Sequence, residues 1–323
     1  MRCNDGHSVW VNSRALALAG ITRDTADPPN GTIVRDPKTG EPSGLLKESS
    51  ASSLVTRLMP KPTREEQRRA IKAAIADGLK VGVTSVTEAA GTPEDFEVFD
   101  EARRVGDLSA RAYCSLLVAP GFTQRDADRF DAVWKAHPDT PLFKTGIVTM
   151  FMDGVIETNT AVILVPYVNV PTMGEPNYAR DAFHTTVQMM DRRGWQIMVH
   201  ALGDGAVRMV LIIDGGGRVV FGSDWPVATI DAMGRVTPIV NRGPRTGGTD
   251  QRLSMTSAID RYTSGPAYAS FDEKEKGTIA PGMLADIVVI ATDVFANPPA
   301  SRADIAVQTT VFDGRIVYRA AAR

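Results

Sequence analysis

The stretch RVVFGSDWPV, residues Arg218–Val227, decides which fold the sequence predicts. Its first part, Arg218–Phe221, is an apolar and β-branched run too short for a helix, which predicts a buried strand. The chain then turns, so that Asp224 stands at the carboxyl end of this predicted strand. A buried acid there is costly unless it is paired, hydrogen-bonded or bound to a cation, and catalytic residues of α/β barrels lie at that end. Because Asp is also a common turn residue, a simple capping role for Asp224 stays open.

Upstream of this stretch the chain alternates between predicted helices and strands with short links, which is typical of a parallel sheet with helical crossovers. The predicted strands lie at residues 81–86, 112–118, 143–152, 196–199 and 218–221. A closed (β/α)₈ barrel has eight strands, so the sequence predicts an α/β fold of the barrel type that is incomplete. We expect this barrel-type domain to span residues 1–270.

Beyond residue 270 the pattern changes to that of a small β structure. A strand is predicted at 286–290, and two further strands flank Asp313 and Gly314, which predicts a hairpin with a tight turn. We therefore expect residues 271–323 to form a separate, small β portion.

Composition excludes several classes of partner. The chain has 323 residues, 43% of them hydrophobic, and a formal net charge of −2, so neither nucleic acid nor an anionic membrane is an expected partner. No apolar run approaches a membrane span, and the start MRCNDGHSVW has no apolar signal-peptide core. Two cysteines, Cys3 and Cys114, are too few for a disulfide framework, which predicts a reducing cytoplasm.

Polar side chains at three predicted strand ends are the candidates for chemistry. Asp153, His200 with Asp204, and Asp224 each follow a strand, and the carboxyl ends of parallel strands meet at one face. Histidine and aspartate suit a divalent metal such as Zn²⁺, which would lower the pKa of a bound water while a nearby carboxylate accepts its proton. The alternative is that His200 is a hydrogen-bonded core histidine and Asp204 a helix cap.

Seven stretches, taken together, resemble the metal-dependent amidohydrolase superfamily, in particular the branch that includes N-substituted formamide deformylase. They are DGHSVWVNSRALALAGI at 5–21, EPSGLLKE at 41–48, GVTSV at 82–86, MDGVIETNTA at 152–161, VHALGD at 199–204, FGSDWPV at 221–227 and KGTIAPGMLADIVVI at 276–290. The stretches keep their order along nearly the whole chain, which makes the resemblance more specific than any single motif.

The resemblance implies a (β/α)₈ barrel with a small β-sandwich built from both chain ends. It also implies one or two divalent ions, Zn²⁺ foremost, and hydrolysis of a carbon–nitrogen bond in a small amide or formamide. His200 matches the family's metal-binding histidine on the fifth strand. Asp224 matches the aspartate of the eighth strand, which would hold metal and act as the general base for the attacking water. His7 and Trp10, in the first stretch, would line the substrate pocket.

Three departures from the family pattern lead to a second hypothesis. The chain has no H-x-H metal pair, Thr149 stands where the family presents a bridging lysine, and a long segment of the pattern is missing between Leu211 and Gly217. Either segments of a longer protein are missing from the given sequence, or the polypeptide itself has lost them. Thr149 favours the second alternative, because missing segments would not change this residue. The two predicted functions are accordingly a metal-dependent hydrolase and a non-catalytic remnant that acts as a binding module or has no function.

A barrel lacking strands exposes sheet edges, so we expect a homo-oligomer.

Overall fold

The computed structural model describes residues 1, 3, 6–210, 220–241, 252–297, 299–300 and 305–321. The chain divides into two compact units. The first unit comprises Met1–Thr63, Val118–Gln124 and Thr149–Gly215, and the second comprises Arg64–Leu117, Arg125–Val148 and Gly216–Arg323. No helix in the described part of the chain is long and apolar enough to cross a membrane.

The first unit begins with a small antiparallel sheet and two helices. Its elements are β1 (Ser8–Trp10), α1 (Ser13–Leu18), β2 (Thr32–Arg35), β3 (Pro42–Lys47) and α2 (Glu48–Thr56). The strand order is β1-β3-β2, so β2 is an edge strand. Leu46 of the central strand is completely buried and packs in one apolar cluster with Ile33 and Leu16.

A four-stranded sheet follows, with helices between its strands. Its elements are α3 (Arg64–Lys80), β4 (Ser85–Glu88), α4 (Pro93–Arg104), β5 (Arg111–Leu117), α5 (Gln124–Ala136), β6 (Phe143–Phe151), α6 (Arg180–Asp191) and β7 (Gln196–His200). The strand order is β4-β5-β6-β7, and β4 runs parallel to β5. Four of the predicted strands are thus present, the first of them shifted from 81–86 to Ser85–Glu88, and their sequential order with helical crossovers fits part of a (β/α) barrel.

The start of α4 shows how local sequence sets these boundaries. The Thr92 hydroxyl accepts the N–H of Asp95, and the Asp95 carboxylate accepts the N–H of Thr92, which closes a capping box around Pro93. Residues next to one another in sequence therefore fix where this helix begins.

The strand predicted at residues 218–221 is not formed in its described half. Arg218 and Val219 lie outside the described residues, while Val220 and Phe221 have no strand conformation. Instead, the N–H of Phe221 donates to the carbonyl oxygen of Arg261, and its ring packs against Tyr262 with a centroid separation of 5.5 Å. A β-branched run forms a strand only where a neighbouring strand pairs with it, and Phe221 packs instead on Tyr262, which lies in a turn.

The remaining elements are short helices and a second antiparallel sheet. They are α7 (Asp204–Val210), α8 (Val236–Asn241), α9 (Met255–Asp260), α10 (Ser264–Ala269), β8 (Ile287–Ile290), β9 (Val307–Phe312) and β10 (Arg315–Arg319). The sheet order is β10-β9-β8, and Asp313 and Gly314 turn with φ of 51° and 75°, as a two-residue hairpin requires. The predicted hairpin is confirmed, whereas the complete sandwich and the domain boundary after residue 270 stay predictions.

A buried ion pair joins β5 to the C-terminal part of the second unit. Nε of Arg111 donates to Asp286 at 2.7 Å and Nη2 donates to the other carboxylate oxygen at 3.0 Å, with both side chains 6% exposed. Its guanidinium also lies over the ring of Phe312, 5.0 Å from the centroid. Such a bidentate pair fixes both geometry and charge in a buried place.

Replacing Arg111 with Met is expected to lower the free energy of unfolding by about 3–5 kcal/mol, because Asp286 would stay buried without its cation. Urea denaturation followed by circular dichroism measures the change. The matched control is Lys80→Met, since the Lys80–Asp77 pair is exposed and such pairs contribute about 0–1 kcal/mol. Equal effects of the two substitutions would contradict this role of Arg111.

Candidate functional site

A histidine and a glutamate meet at the end of the N-terminal sheet. Ser8 of β1 pairs with Lys47 of β3 in antiparallel register. The residue before β1, His7, and the residue after β3, Glu48, therefore also lie opposite each other. The N–H of Glu48 donates to the carbonyl oxygen of His7 at 2.6 Å, and Nδ1 of His7 lies 2.8 Å from Oε2 of Glu48. Antiparallel register therefore brings together two side chains that are 41 residues apart in sequence.

The second oxygen of the Glu48 carboxylate is also fully used. Oε1 accepts hydrogen bonds from the hydroxyls of Thr158, at 3.1 Å, and Thr160, at 2.6 Å. Burial opposes ionisation of this carboxyl, but the hydrogen bonds from His7 and Thr160, the charge of His7 and the hydrogen bond from Thr158 together outweigh it and lower the pKa of Glu48. Glu48 is therefore a carboxylate that is held from both sides.

Steric limits keep this cluster in one arrangement. Glu48 has a φ of 65°, in the left-handed region that a side chain other than glycine seldom adopts. A Cβ on Gly154 would lie 2.8 Å from Oε1 of Glu48 and would also collide with the hydroxyl of Thr160. The backbone around the carboxylate thus leaves no room for another side chain at Gly154.

Three rings lie together beside the carboxylate. The His7 ring centroid is 5.7 Å from that of His200 and 6.4 Å from that of Phe151, and the latter two are 5.1 Å apart. Phe151 ends β6 and His200 ends β7, and the N–H of Met152 donates to the carbonyl oxygen of His200. The structure thus brings together two of the predicted site residues, His7 and His200, at the carboxyl ends of these strands.

The acids at these strand ends accept hydrogen bonds from the backbone N–H groups of nearby segments. Asp153 is completely buried, and its carboxylate accepts the N–H groups of Leu202, Gly203 and Val162 at 2.8–2.9 Å. Asp204 begins α7 and accepts the N–H of Leu164 at 2.9 Å. The expected convergence of polar groups is therefore present within the first unit, but hydrogen bonds to loops explain why both acids are there.

The other predicted site residues lie in different surroundings. Asp224 belongs to the second unit and is exposed in a turn, with a φ of 50°, where its carbonyl oxygen accepts the N–H of Val227. The expectation of a buried Asp224 is therefore wrong, because the residue begins an exposed turn and the described residues before it form no strand. Trp10 ends β1 and is 58% exposed. The catalytic role of Asp224 and the substrate role of Trp10 stay predictions.

One further acid of the second unit has unusual electrostatics. Glu88, which ends β4, is half-buried, and its partial removal from water raises its pKa above the ordinary value. The charges of Asp95 and Asp224 raise the pKa further, while a hydrogen bond from the N–H of Ala90 opposes them. By contrast Cys114, completely buried in β5, has its pKa raised well above normal, which suits packing and not nucleophilic chemistry.

Sequence patterns did not identify Glu48, Thr158 or Thr160 as site residues. Each lies inside a stretch that resembles the amidohydrolase superfamily, EPSGLLKE or MDGVIETNTA. That resemblance is the feature of the sequence from which they could have been identified. Their meeting depends on strand register and on the path of the loop after β6, which residue spacing does not contain.

The donor set in this part of the chain does not form a metal site by itself. A zinc ion in a protein usually has at least three protein ligands. Among the residues that the structure describes, no three His, Cys, Asp or Glu side chains lie close enough to share one ion. The oxygens of Asp153 accept backbone N–H groups, and Nδ1 of His7 is engaged by Glu48.

Comparison with known proteins assigns the family. The model of the amidohydrolase family matches residues 1–213 and 211–318, which together make up nearly the whole chain. This chain therefore belongs to the amidohydrolase family and is a hydrolase by class. The two matched stretches meet at residues 211–213, where the sequence predicts a missing segment, and those residues lie outside the described part.

Individual relatives agree with this assignment. The chain is 27% identical to YtcJ of Bacillus subtilis (strain 168) over 402 residues, which cover 97% of this chain and 72% of YtcJ. It is 22% identical over 394 residues to the N-substituted formamide deformylase of Arthrobacter pascens, again covering 97% of this chain and 72% of the relative. Both alignments are longer than the chain itself, so each relative contains residues without a counterpart here.

Solved structures agree on the fold. An uncharacterized metal-dependent hydrolase from Pyrococcus horikoshii OT3 superposes with a TM-score of 0.67 at 19% identity, over 93% of this chain and 72% of that one. A second, from Pyrococcus furiosus, superposes with a TM-score of 0.63 at 18% identity, over 86% and 69% of the two chains. At these identities the likeness establishes the fold of the chain.

Substituting Asp153 with Asn is expected to lower the free energy of unfolding by about 1–3 kcal/mol. The amide –NH₂ would face at least one backbone N–H that now donates to the carboxylate, and two donors cannot satisfy each other. Thermal and urea unfolding measure the effect, with Asp191→Asn as the control at an exposed position on α6. A change no larger than that of the control would show that Asp153 does not hold the loops.

Proposed function

We propose that this chain is a hydrolase of carbon–nitrogen bonds in small amide or formamide substrates. The observation that carries the proposal is the pairing of His7 and His200 beside Phe151 at the ends of β6 and β7, in a chain of the amidohydrolase family. The carboxyl ends of such strands are where enzymes with this fold place their chemistry. The likeness to an N-substituted formamide deformylase supports the choice of bond.

The same proposal includes a divalent ion, with Zn²⁺ as the first candidate, held by His200 and Asp224. An imidazole nitrogen and a carboxylate oxygen are suitable zinc ligands, and when bound the ion would supply Lewis-acid chemistry. Two donors are too few, and the described residues do not gather a third. A bound ion would therefore need further ligands from outside the described part of the chain.

A second candidate function is a non-catalytic member of the family that binds a small molecule. Two observations favour it. The described donors do not assemble into a metal site, and Thr149 lies completely buried in β6 where the resemblance expects a bridging lysine. A hydroxyl cannot be carboxylated and is a poor ligand for a divalent ion.

Metal content and hydrolysis, measured on the same purified chain, distinguish the two functions. If the chain is a hydrolase, elemental analysis should find about one ion or more per chain, and an anilide should be hydrolysed. His200→Ala and Asp224→Ala should then each lower hydrolysis more than about 100-fold and reduce the bound metal, because each removes a ligand. A chain that stays metal-free after incubation with zinc, and hydrolyses nothing, would contradict the hydrolase.

The matched control is His184→Ala. His184 lies on α6 and its ring contacts that of Phe183, away from the three-ring cluster. This variant should keep the metal content and activity of the parent chain. Unfolding curves of all variants establish that a loss of metal is not a loss of fold.

We also propose that the chain associates with itself and works in a reducing cytoplasm. Among the described strands, β4 and β7 end the four-stranded sheet, each with one neighbour only. The segment after β6 exposes a series of apolar side chains, namely Leu164, Val165, Val168, Val170 and Met173. Open sheet edges and apolar surface promote association. Cys3 and Cys114 are both free thiols, which agrees with a reducing compartment.

Light scattering coupled to size exclusion tests the association. We expect a mass of at least two chains, and Val165→Lys, on the exposed apolar segment, should shift the distribution towards the monomer. Lys135→Glu, at the end of α5, provides a control for a change of surface charge alone. A monodisperse monomer for the parent chain would contradict the proposal.

A further inference from the structure

The strand β7 combines the sequence of an inner strand with a position at the end of a sheet. Its residues, QIMVH, include the continuous apolar run Ile197–Val199, which is typical of the inner strands of a parallel sheet. Among the described strands, however, only β6 pairs with β7. Every residue of β7 is half-buried, whereas all residues of β5 except the last are buried. The strand therefore presents an open edge.

The strand at the other end of this sheet, β4, is better protected against pairing. Val86 is its only apolar residue, and it ends in the acid Glu88. Proteins prevent pairing between open edges with charged side chains, proline and bulges at those edges. β7 contains no Lys, Arg, Asp, Glu or Pro. Of the two end strands, β7 is therefore the one suited to pair with another strand.

The family comparison explains why this edge is open. The two stretches that match the family model meet at residues 211–213, directly after α7, the helix that follows β7. This is where the sequence predicts a missing family segment. In a complete barrel each strand has a neighbour on both sides. A segment missing at this point would remove the strand that continues the sheet beyond β7.

One hydrogen bond shows which backbone groups of β7 face outward. The carbonyl oxygen of His200 accepts the N–H of Met152, the residue after β6, so the backbone groups of His200 face β6. Successive residues of a strand direct these groups to opposite sides. The N–H and C=O groups of Ile197 and Val199 therefore face the open edge.

We propose that β7 pairs with β7 of a second copy of this chain, antiparallel about a two-fold axis that passes through Met198. In this register Ile197 of each copy lies opposite Val199 of the other, and each such pair exchanges both of its N–H···O=C hydrogen bonds. A two-fold interface requires a surface that is complementary to itself. This one places apolar side chains opposite apolar side chains, and no like charges oppose each other. The inference rests on the proposed self-association and names its contact.

A disulfide between the two copies tests the register. The two Met198 residues form a pair without hydrogen bonds, in which Cα atoms are about 4.5 Å apart, a distance that a disulfide can span. Met198→Cys should therefore convert most of the protein to a covalent dimer on oxidation with copper phenanthroline, as seen on a non-reducing gel. All variants are made with Cys3→Ser, so that Cys114, which is buried, is the only other thiol.

The matched control for the cross-link is Thr87→Cys. Thr87 is exposed on β4, at the other end of the same sheet. Because the proposal places no contact between copies there, this variant should remain a single chain on the gel.

A proline substitution tests the hydrogen bonds themselves. The N–H of Ile197 faces the open edge, so Ile197→Pro removes a donor to the second copy and none to β6, a position where an edge strand tolerates proline. This variant should elute as a monomer in size exclusion with light scattering while its circular dichroism spectrum stays that of the parent chain. Ile197→Val, which keeps the N–H and an apolar side chain, should remain a dimer.

The outcomes separate this inference from the association on which it rests. A parent chain that is a monomer would overturn both. A parent dimer in which Met198→Cys forms no more cross-link than Thr87→Cys would overturn the β7 pairing alone. A folded Ile197→Pro variant that remains a dimer would likewise overturn the β7 pairing, and the contact between copies would then lie elsewhere.

Discussion

The hydrogen bonds to the Glu48 carboxylate are the interaction on which the candidate site depends. The carboxylate joins His7, the residue before β1, to Thr158 and Thr160, which lie 110 and 112 residues further along the chain than Glu48. A buried anion is tolerated only when its oxygens are satisfied, so these partners must stay in place together. The position of His7 beside His200 is therefore linked to the path of the loop after β6.

The same requirement explains the other buried acids. Asp153 is satisfied by three backbone N–H groups and Asp286 by the guanidinium of Arg111. Neither acid needs a cation from solution to be stable where it lies. An acid at the end of a barrel strand is thus an ambiguous sign of a metal site, and its hydrogen bonds decide between the two interpretations.

Several elements show what local patterns predict well. The capping box at Thr92, the hairpin turn at Asp313 and the four strands from β4 to β7 all depend on residues close together in sequence, and all are present. The run ending at Phe221 has an equally good strand pattern. Its described residues pack against Tyr262 instead, because a strand also requires a neighbour that lies elsewhere in the sequence.

The sequence by itself determined the family, the order of the strands β4 to β7, and the place of His200 at the end of a strand. Only the tertiary structure decided that Glu48 is hydrogen-bonded to His7, that Asp153 accepts hydrogen bonds from backbone N–H groups and that Asp224 is exposed in a turn. The physical reason is one of range. Helix and strand patterns arise from neighbours a few residues apart, whereas the partners of a buried polar group are set by strand register and loop paths between distant segments.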